Sequence, residues 1–429
     1  MSPVKPQRRN LLAGAVGNAI EFYDFIIYAY LAQYFAAHFF PTQDPVTGLI
    51  ASYGGFAAGM LMRPIGGILI GAIGDRVGRA IALQVSVVMI AVPTFLIGLL
   101  PTYESVGLWA PILLLLMRLI QGLSLGGEYP AAVVFLVEQS APKDRGFAGS
   151  FSPLGIVLGL LLGSAVCLAV TLYLGEAQMR EWGWRIPFIA SVLLTIIAAV
   201  LRRRILRDQP PEKSSQRSLL SQAFKIYWRQ MVAIALANAV AGVSGFVGFM
   251  YVVPWMIRHA GVSSAMAYGV NFVSLALCLL ATLGGGILSD RIGRFRTVVL
   301  GAAIALLGAW PAFLCFKTGV LPIMILGSLL IALGQGFFTG PFCACMAGLV
   351  PRQVRVTVMA IGFSTSMGVF GGLSPMTTEY LVGKLHLAMA PAIMIMGSAI
   401  ISLLALLLLP TWRNFEESFP EDRLGNKIG

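Results

Sequence analysis

Five ionisable side chains stand inside runs of residues that are otherwise apolar. Residues 11–30 read LLAGAVGNAIEFYDFIIYAY and carry Glu21 and Asp24 with no basic residue among them. Arg63, Arg118 and Glu128 interrupt later runs in the same way. One charge at mid-membrane costs about 2.5–3.5 kcal/mol on translocon scales, so such groups must pair, take up a proton or line water. Glu21 and Asp24 are three residues apart and share a helix face, which Asn18 and Tyr28 extend by a turn each way. The chemistry this permits is reversible protonation beside a polar path. Fixed ion pairs between helices are the structural alternative. Arg63 lies about eight residues, roughly 12 Å, above the charged loop that follows it, and Glu128 sits at a similar depth. The two make a candidate pair, for which Glu21 competes at nearly the same level.

The elements that must position these groups are membrane helices. The chain of 429 residues is 58% hydrophobic and only 11% charged, against about 25% charged for soluble domains. Twelve apolar runs are long enough to cross about 30 Å of hydrocarbon. A polar interval, RRILRDQPPEKSSQRSLLSQAFKIYW, divides them six and six. The expected organisation is an all-α polytopic membrane protein of two pseudo-symmetric six-helix bundles, residues 1–202 and 229–429, joined by a cytoplasmic linker at 203–228. The net charge of +12 is a topology signal. Of the 30 Lys and Arg, 23 fall on the side of the N-terminus, five on the other side and two inside spans. That bias places both termini in the cytoplasm, with the basic loops against anionic headgroups and no need for nucleic acid. The basic start, MSPVKPQRRN, reads as a cytoplasmic tail rather than a cleaved signal. Five Cys and three His show no ligand spacing, and no P-loop, GxSxG, HExxH or strand-borne GxGxxG occurs. Neither metal nor cofactor is expected. A membrane enzyme or sensor would need clustered catalytic groups or a soluble domain, and no loop exceeds about 30 residues.

An internal repeat marks the hinges. GAIGDRVGRA at 71–80 and GGILSDRIGRF at 285–295 share the pattern G-x-[IL]-x-D-R-[VI]-G-R, each after the second span of its half. Glycines let helix ends approach. Asp75 and Asp290 are expected to dock on the N-terminus of another helix or on an arginine, while Arg76, Arg79, Arg291 and Arg294 reach the headgroups. Gly71 and Gly78 belong to the same turn. Such a latch stabilises a state closed on that side.

This pattern resembles the loop signature of the major facilitator superfamily, and the resemblance covers the whole chain. GNAIEFYDF, MRPIGG (62–67), RLIQGLSLGGEY (118–129), WGWRIPF (182–188) and FGGLSP (370–375) narrow it to the metabolite:proton symporter family, carriers of citrate and other dicarboxylates, shikimate, proline and betaine. The resemblance implies alternating access, with Asp24 as the proton carrier facing Arg118, its modulator. It also implies that Glu138 and Arg145 belong to the cytoplasmic charge network. Glu21 and Glu128 complete the proton-coupling set, and the residues alone leave open which acid titrates.

Transporter substrate sites lie near the midplane, where Tyr53, Gln121, Asn238 and Gln335 are the leading candidates, together with Tyr28, Arg63 and Arg118. Repeated small residues in span 5 (Gly155, Gly159, Gly163) predict close helix packing. That span lacks the GPxxGG pattern of many antiporters, which favours uptake. The expected function is therefore proton-coupled symport of a small carboxylated metabolite across the inner membrane, by a monomer whose partners are its substrate, protons and lipid. An osmoprotectant symporter for proline or betaine is the alternative, and an exporter or uniporter of the same fold is another.

Overall fold

A computed structural model describes residues 8–77, 79–126, 128–205 and 224–413; within these, the side chains of 8–17, 71, 72, 74–80, 82, 83, 128, 131, 197–205 and 413 are not described. The expectations for Gly71, Asp75, Arg76, Gly78, Arg79 and the Glu128 carboxylate therefore lie outside the described residues, as does most of the 203–228 linker.

The described chain is helical. α1 spans Arg8–Phe39. α2 spans Pro45–Leu61 and resumes as Arg63–Val77 after Met62. Asp44 caps it, accepting the Val46 N–H at 3.0 Å, with Pro45 in the first turn where its missing N–H is not needed. α3 spans Arg79–Leu99, and α4 spans Trp109–Ser124 and resumes as Glu128–Glu138. α5 spans Arg145–Gln178 and α6 Arg185–Ile205. α7 spans Trp228–His259, α8 Ser264–Ile292, α9 Arg294–Lys317, α10 Leu321–Gly348, α11 Arg355–Gly383 and α12 Ala390–Leu408. Among the described residues eight stretches are long and apolar enough to cross a membrane, and three shorter apolar helices, in α3, α4 and α6, complete the count with α1.

Two glycine contacts explain why the charged helices lie inside. A Cβ on Gly159 of α5 would stand 2.5 Å from the Ala19 carbonyl oxygen of α1. One on Gly122 of α4 would stand 1.9 Å from the Gly59 oxygen of α2. Only a residue without a Cβ lets these backbones touch, and the contact draws Arg63 and Arg118 into the interior. The expected close packing of α5 is thus directed at α1. The two halves meet along α5 with α8, α2 with α11, and the second part of α4 with α10 and α11.

α7 and α11 each contain one wide π-turn, Val247–Tyr251 and Met367–Gly372. Turns of this kind interrupt a regular helix and recur at functional sites. Gly293 forms the one-residue junction of α8 and α9 with φ +102°, a conformation that only glycine adopts at little cost. This is the second glycine of the repeated motif, and it accounts for that position in the pattern.

Candidate functional site

Between the halves lies a central cavity of about 60 Å³. A water needs about 10–15 Å³ of such space, so it holds a handful of waters or a small solute. Its walls are aromatic: Phe22 of α1, Tyr129 of α4, Phe246 and Phe249 of α7, Phe342 of α10 and Phe363 of α11. Asn238, Gln335 and Thr339 supply the amide and hydroxyl groups, with Cys278 and Cys343 beside them. None of these described lining residues is charged.

Two of the polar groups are incomplete in a complementary way. Asn238 Nδ2 and Gln335 Oε1 are buried without a hydrogen-bond partner. Gln335 Nε2 is already committed, donating to the Ala241 carbonyl at 3.2 Å. The cavity thus offers one unpaired donor and one unpaired acceptor. Unpaired buried polar groups cost free energy, and a solute carrying both an anionic and a cationic end removes that cost. On the side of the chain termini the cavity is floored by Tyr129, which stacks on Phe363 at 4.5 Å and contacts Cys343 Sγ at 3.1 Å.

Asn238 and Gln335 are the two sequence candidates that line the cavity. The other five do not line it. Tyr28 donates to the Ser52 carbonyl at 3.0 Å. Gln121 donates to Thr94 Oγ1 and accepts from Arg118 Nη1, both at 2.7 Å. Tyr53 packs against Tyr251 on α7 at 5.9 Å between rings. Arg63 stands one layer behind the wall, its guanidinium 5.7 Å from Phe22 and 5.9 Å from Phe363, with Glu21 within electrostatic reach. Arg118 lies over Phe25 and Tyr28 at 4.0 and 4.2 Å.

Asp24 is 1% exposed, and neither of its carboxyl oxygens has a hydrogen-bond partner. The expected Asp24–Arg118 pair is not formed. Ring faces and the Gln121 amide take the guanidinium instead, since a desolvated arginine stacks favourably on aromatic rings. The connection from Arg118 runs through Gln121 and Thr94 and reaches Asp24 only at its carbonyl, 3.5 Å from Thr94 Oγ1.

Of the two motif acids, Asp290 docks on the N-terminus of another helix, as expected. The Asp290 carboxylate accepts both the Gly146 and Phe147 N–H groups at 2.8 Å, capping the N-terminus of α5 from α8. Glu138 bonds Arg355 at 2.6 Å and Arg352 at 3.2 Å, tying α4 to the start of α11. Arg145 is buried at the same end, and Arg291 is exposed. Arg294 departs from expectation: as the first residue of α9 it is 5% exposed and turns inward rather than to the headgroups. At the opposite end Lys384 pairs with Asp44, and Arg258 with Glu379.

The sequence profile of the Major Facilitator Superfamily matches residues 14–375. The chain belongs to the major facilitator superfamily. It is a multi-pass membrane transporter, not an enzyme. A proline/betaine transporter of Escherichia coli strain K12 is 32% identical over 411 residues, covering 92% of this chain and 82% of that protein. An ectoine/proline transporter of Corynebacterium glutamicum is 34% identical over 427 residues, covering 95% and 84%. The crystal structure of a D-xylose-proton symporter shares the transporter's fold, with a TM-score of 0.72 at 17% identity, covering 96% of this chain and 99% of that one.

Sequence reasoning missed Tyr129, Thr339 and the phenylalanine walls. Tyr129 adjoins a motif singled out for its acid, Glu128. The phenylalanines carried no signal, because in an apolar span a wall of a cavity and a lipid contact look alike.

Proposed function

We propose that the transporter takes up a small zwitterion, an ammonium carboxylate of the proline or betaine class, together with protons. The observation that carries this reading is the aromatic cavity, uncharged among its described lining residues, with one unpaired amide donor and one unpaired amide acceptor. The carboxylate of such a solute accepts from Asn238 Nδ2. Its ammonium group faces Gln335 Oε1 and the aromatic rings, which attract cations. A zwitterion brings no net charge into the membrane interior, whereas a dicarboxylate would leave its charge uncompensated there. The relatives named for proline, betaine and ectoine support the same class. The substrate thus narrows from a carboxylated metabolite in general to the osmoprotectant alternative.

Asp24 serves as the proton carrier, with Glu21 and Glu128 as further members of the coupling set. Its two carboxyl oxygens are buried without a hydrogen-bond partner, so a proton has no bond to displace there. Arg118, stacked nearby, modulates it when the alternating movement of the halves 1–202 and 229–429, joined by the 203–228 linker, changes the Asp24–Arg118 separation. Uptake proceeds across the inner membrane with both termini in the cytoplasm, and the working unit is a monomer. Asp75 and Asp290 latch the cytoplasmic side.

Two measurements test this. A thermal-shift and uptake panel of proline, betaine, shikimate, dicarboxylates and citrate should select the zwitterions, and selection of citrate or a dicarboxylate would overturn the substrate. Adding the transported solute to intact cells should turn the medium alkaline. Transport with no pH change would make the protein a uniporter.

A further inference from the structure

We infer that Arg258, Glu379, Tyr251 and Tyr53 form a second solute site, at the mouth of the transport path opposite the chain termini, which receives a small ammonium carboxylate on its way to the central cavity. The inference rests on the zwitterion reading above. Arg258 of α7 holds Glu379 of α11 in a bidentate pair, Nη1 to Oε1 and Nη2 to Oε2, both at 2.6 Å. Tyr251 donates to Glu379 Oε2 at 2.7 Å. The Glu379 side chain is fully buried, while 33% of the Arg258 side chain remains exposed. Arg258 Nε donates to the Pro254 carbonyl and Nη2 also reaches the Tyr251 oxygen, both at 3.3 Å. A guanidinium has five N–H groups, so one on Nη1 is left for a ligand.

The second observation comes from the other half. Tyr53 of α2 is fully buried against Tyr251, within electrostatic reach of Glu379 and Arg258, and its hydroxyl has no hydrogen-bond partner. A carboxylate placed here accepts from that hydroxyl and from Arg258 Nη1. The ammonium end then meets Glu379 and the faces of the two tyrosine rings. The solute carries the same two charges as the pair it meets, so exchanging partners leaves no uncompensated charge buried.

The site lies on the path to the cavity. Phe249 lines the cavity, and Arg258 follows nine residues later, roughly 13 Å along the helix. At the cavity wall the seam is closed by Phe56 on Phe246, ring centroids 5.3 Å apart, and between Phe249 and Arg258 by Tyr53 on Tyr251. Opening this seam uncovers the charged pair before the cavity.

The test is initial-rate uptake of proline and betaine into proteoliposomes. Tyr53→Phe keeps the ring and removes only the hydroxyl. It should raise the uptake KM roughly tenfold, the effect of one lost hydrogen bond to a charged group, with Vmax and melting temperature unchanged. The double exchange Arg258→Glu with Glu379→Arg keeps an ion pair but reverses its polarity, and it should not restore a normal KM. A wild-type KM in Tyr53→Phe, or full recovery in the double exchange, would show a structural latch and overturn the site. Wild-type protein that transports no ammonium carboxylate overturns the substrate reading and this site with it. Normal wild-type uptake with an unaltered Tyr53→Phe overturns the site alone.

Discussion

The two halves of the transporter each bury an acid near an arginine, and they treat the two in opposite ways. In the second half Glu379 is held by both arms of Arg258 and by Tyr251. In the first half Asp24 has no hydrogen bond to either carboxyl oxygen, and Arg118 donates from Nη1 alone, to Gln121 and the Phe25 carbonyl, and lies over the rings of Phe25, Tyr28 and Phe56. A bidentate pair occupies the carboxylate oxygens, whereas those of an unpaired acid are open to another partner. On the proposed reading, proton exchange belongs to the first half and charge recognition to the second, with the solute in the cavity between them.

The comparison breaks most readily at Asp24. Asp24→Asn should abolish proton-driven accumulation in proteoliposomes, leave counterflow exchange intact and cost no thermal stability, because the amide replaces a group that made no bond. Accumulation at the wild-type level would remove Asp24 from the coupling role. The matching change in the second half should do the reverse to stability. Glu379→Ala strands the charge of Arg258 and should cost about 3 kcal/mol in thermal unfolding, the low end of the range for a broken buried pair because Arg258 is partly exposed. Little or no loss would mean that the pair is not buried in the membrane-embedded protein.

A third acid, Asp290, is satisfied by backbone N–H groups instead of an arginine. A Cβ at Gly146 would stand 2.0 Å from Ser289 Oγ and 2.6 Å from Asp290 Oδ1. Gly146→Ala should therefore loosen this end at a cost of about 1–3 kcal/mol, typical of overpacking. The expected signature is faster labelling of Cys343, which lines the cavity, by a thiol reagent applied from the side of the chain termini. The smallest effect is expected at Asp44. Its hydrogen bond to the Lys384 ammonium, aided by Thr47 and the Val46 N–H, holds the carboxyl down at about 2. The contribution of that pair is fully present above roughly pH 4, the ordinary Asp value, and is lost only as pH falls through about 2. Asp44→Asn should leave the pH profile of uptake between about pH 5 and 8 unchanged; a shifted profile would place a pH-responsive group at this end of the molecule.

Much of this was legible in the residue order. Apolar runs of membrane-spanning length and the repeated G-x-[IL]-x-D-R-[VI]-G-R motif fixed the spans and the latch loop, since hydrophobic length and a glycine-acid turn act locally. Asp290 as a helix cap followed from the same local chemistry, and Glu138 as a charge tie from the family resemblance. Asn238 and Gln335 were found because an amide in an apolar span needs a partner. What failed was pairing. The family resemblance set Asp24 facing Arg118, yet a motif says nothing of how each helix is rotated in this chain, and the ring faces of Phe25 and Tyr28 took the guanidinium. Arg294 turned inward for a similar reason, because its direction depends on the helix ends gathered around it.

The sequence alone therefore determined a twelve-span transporter chain with acids and arginines in its interior, because burial in hydrocarbon and turn chemistry are written residue by residue. The tertiary structure decided which of those charges are paired and which polar atoms are left for a solute. Those outcomes depend on helix rotation and on contacts between residues far apart in the chain, such as Tyr53 with Tyr251 and Gly146 with Asp290.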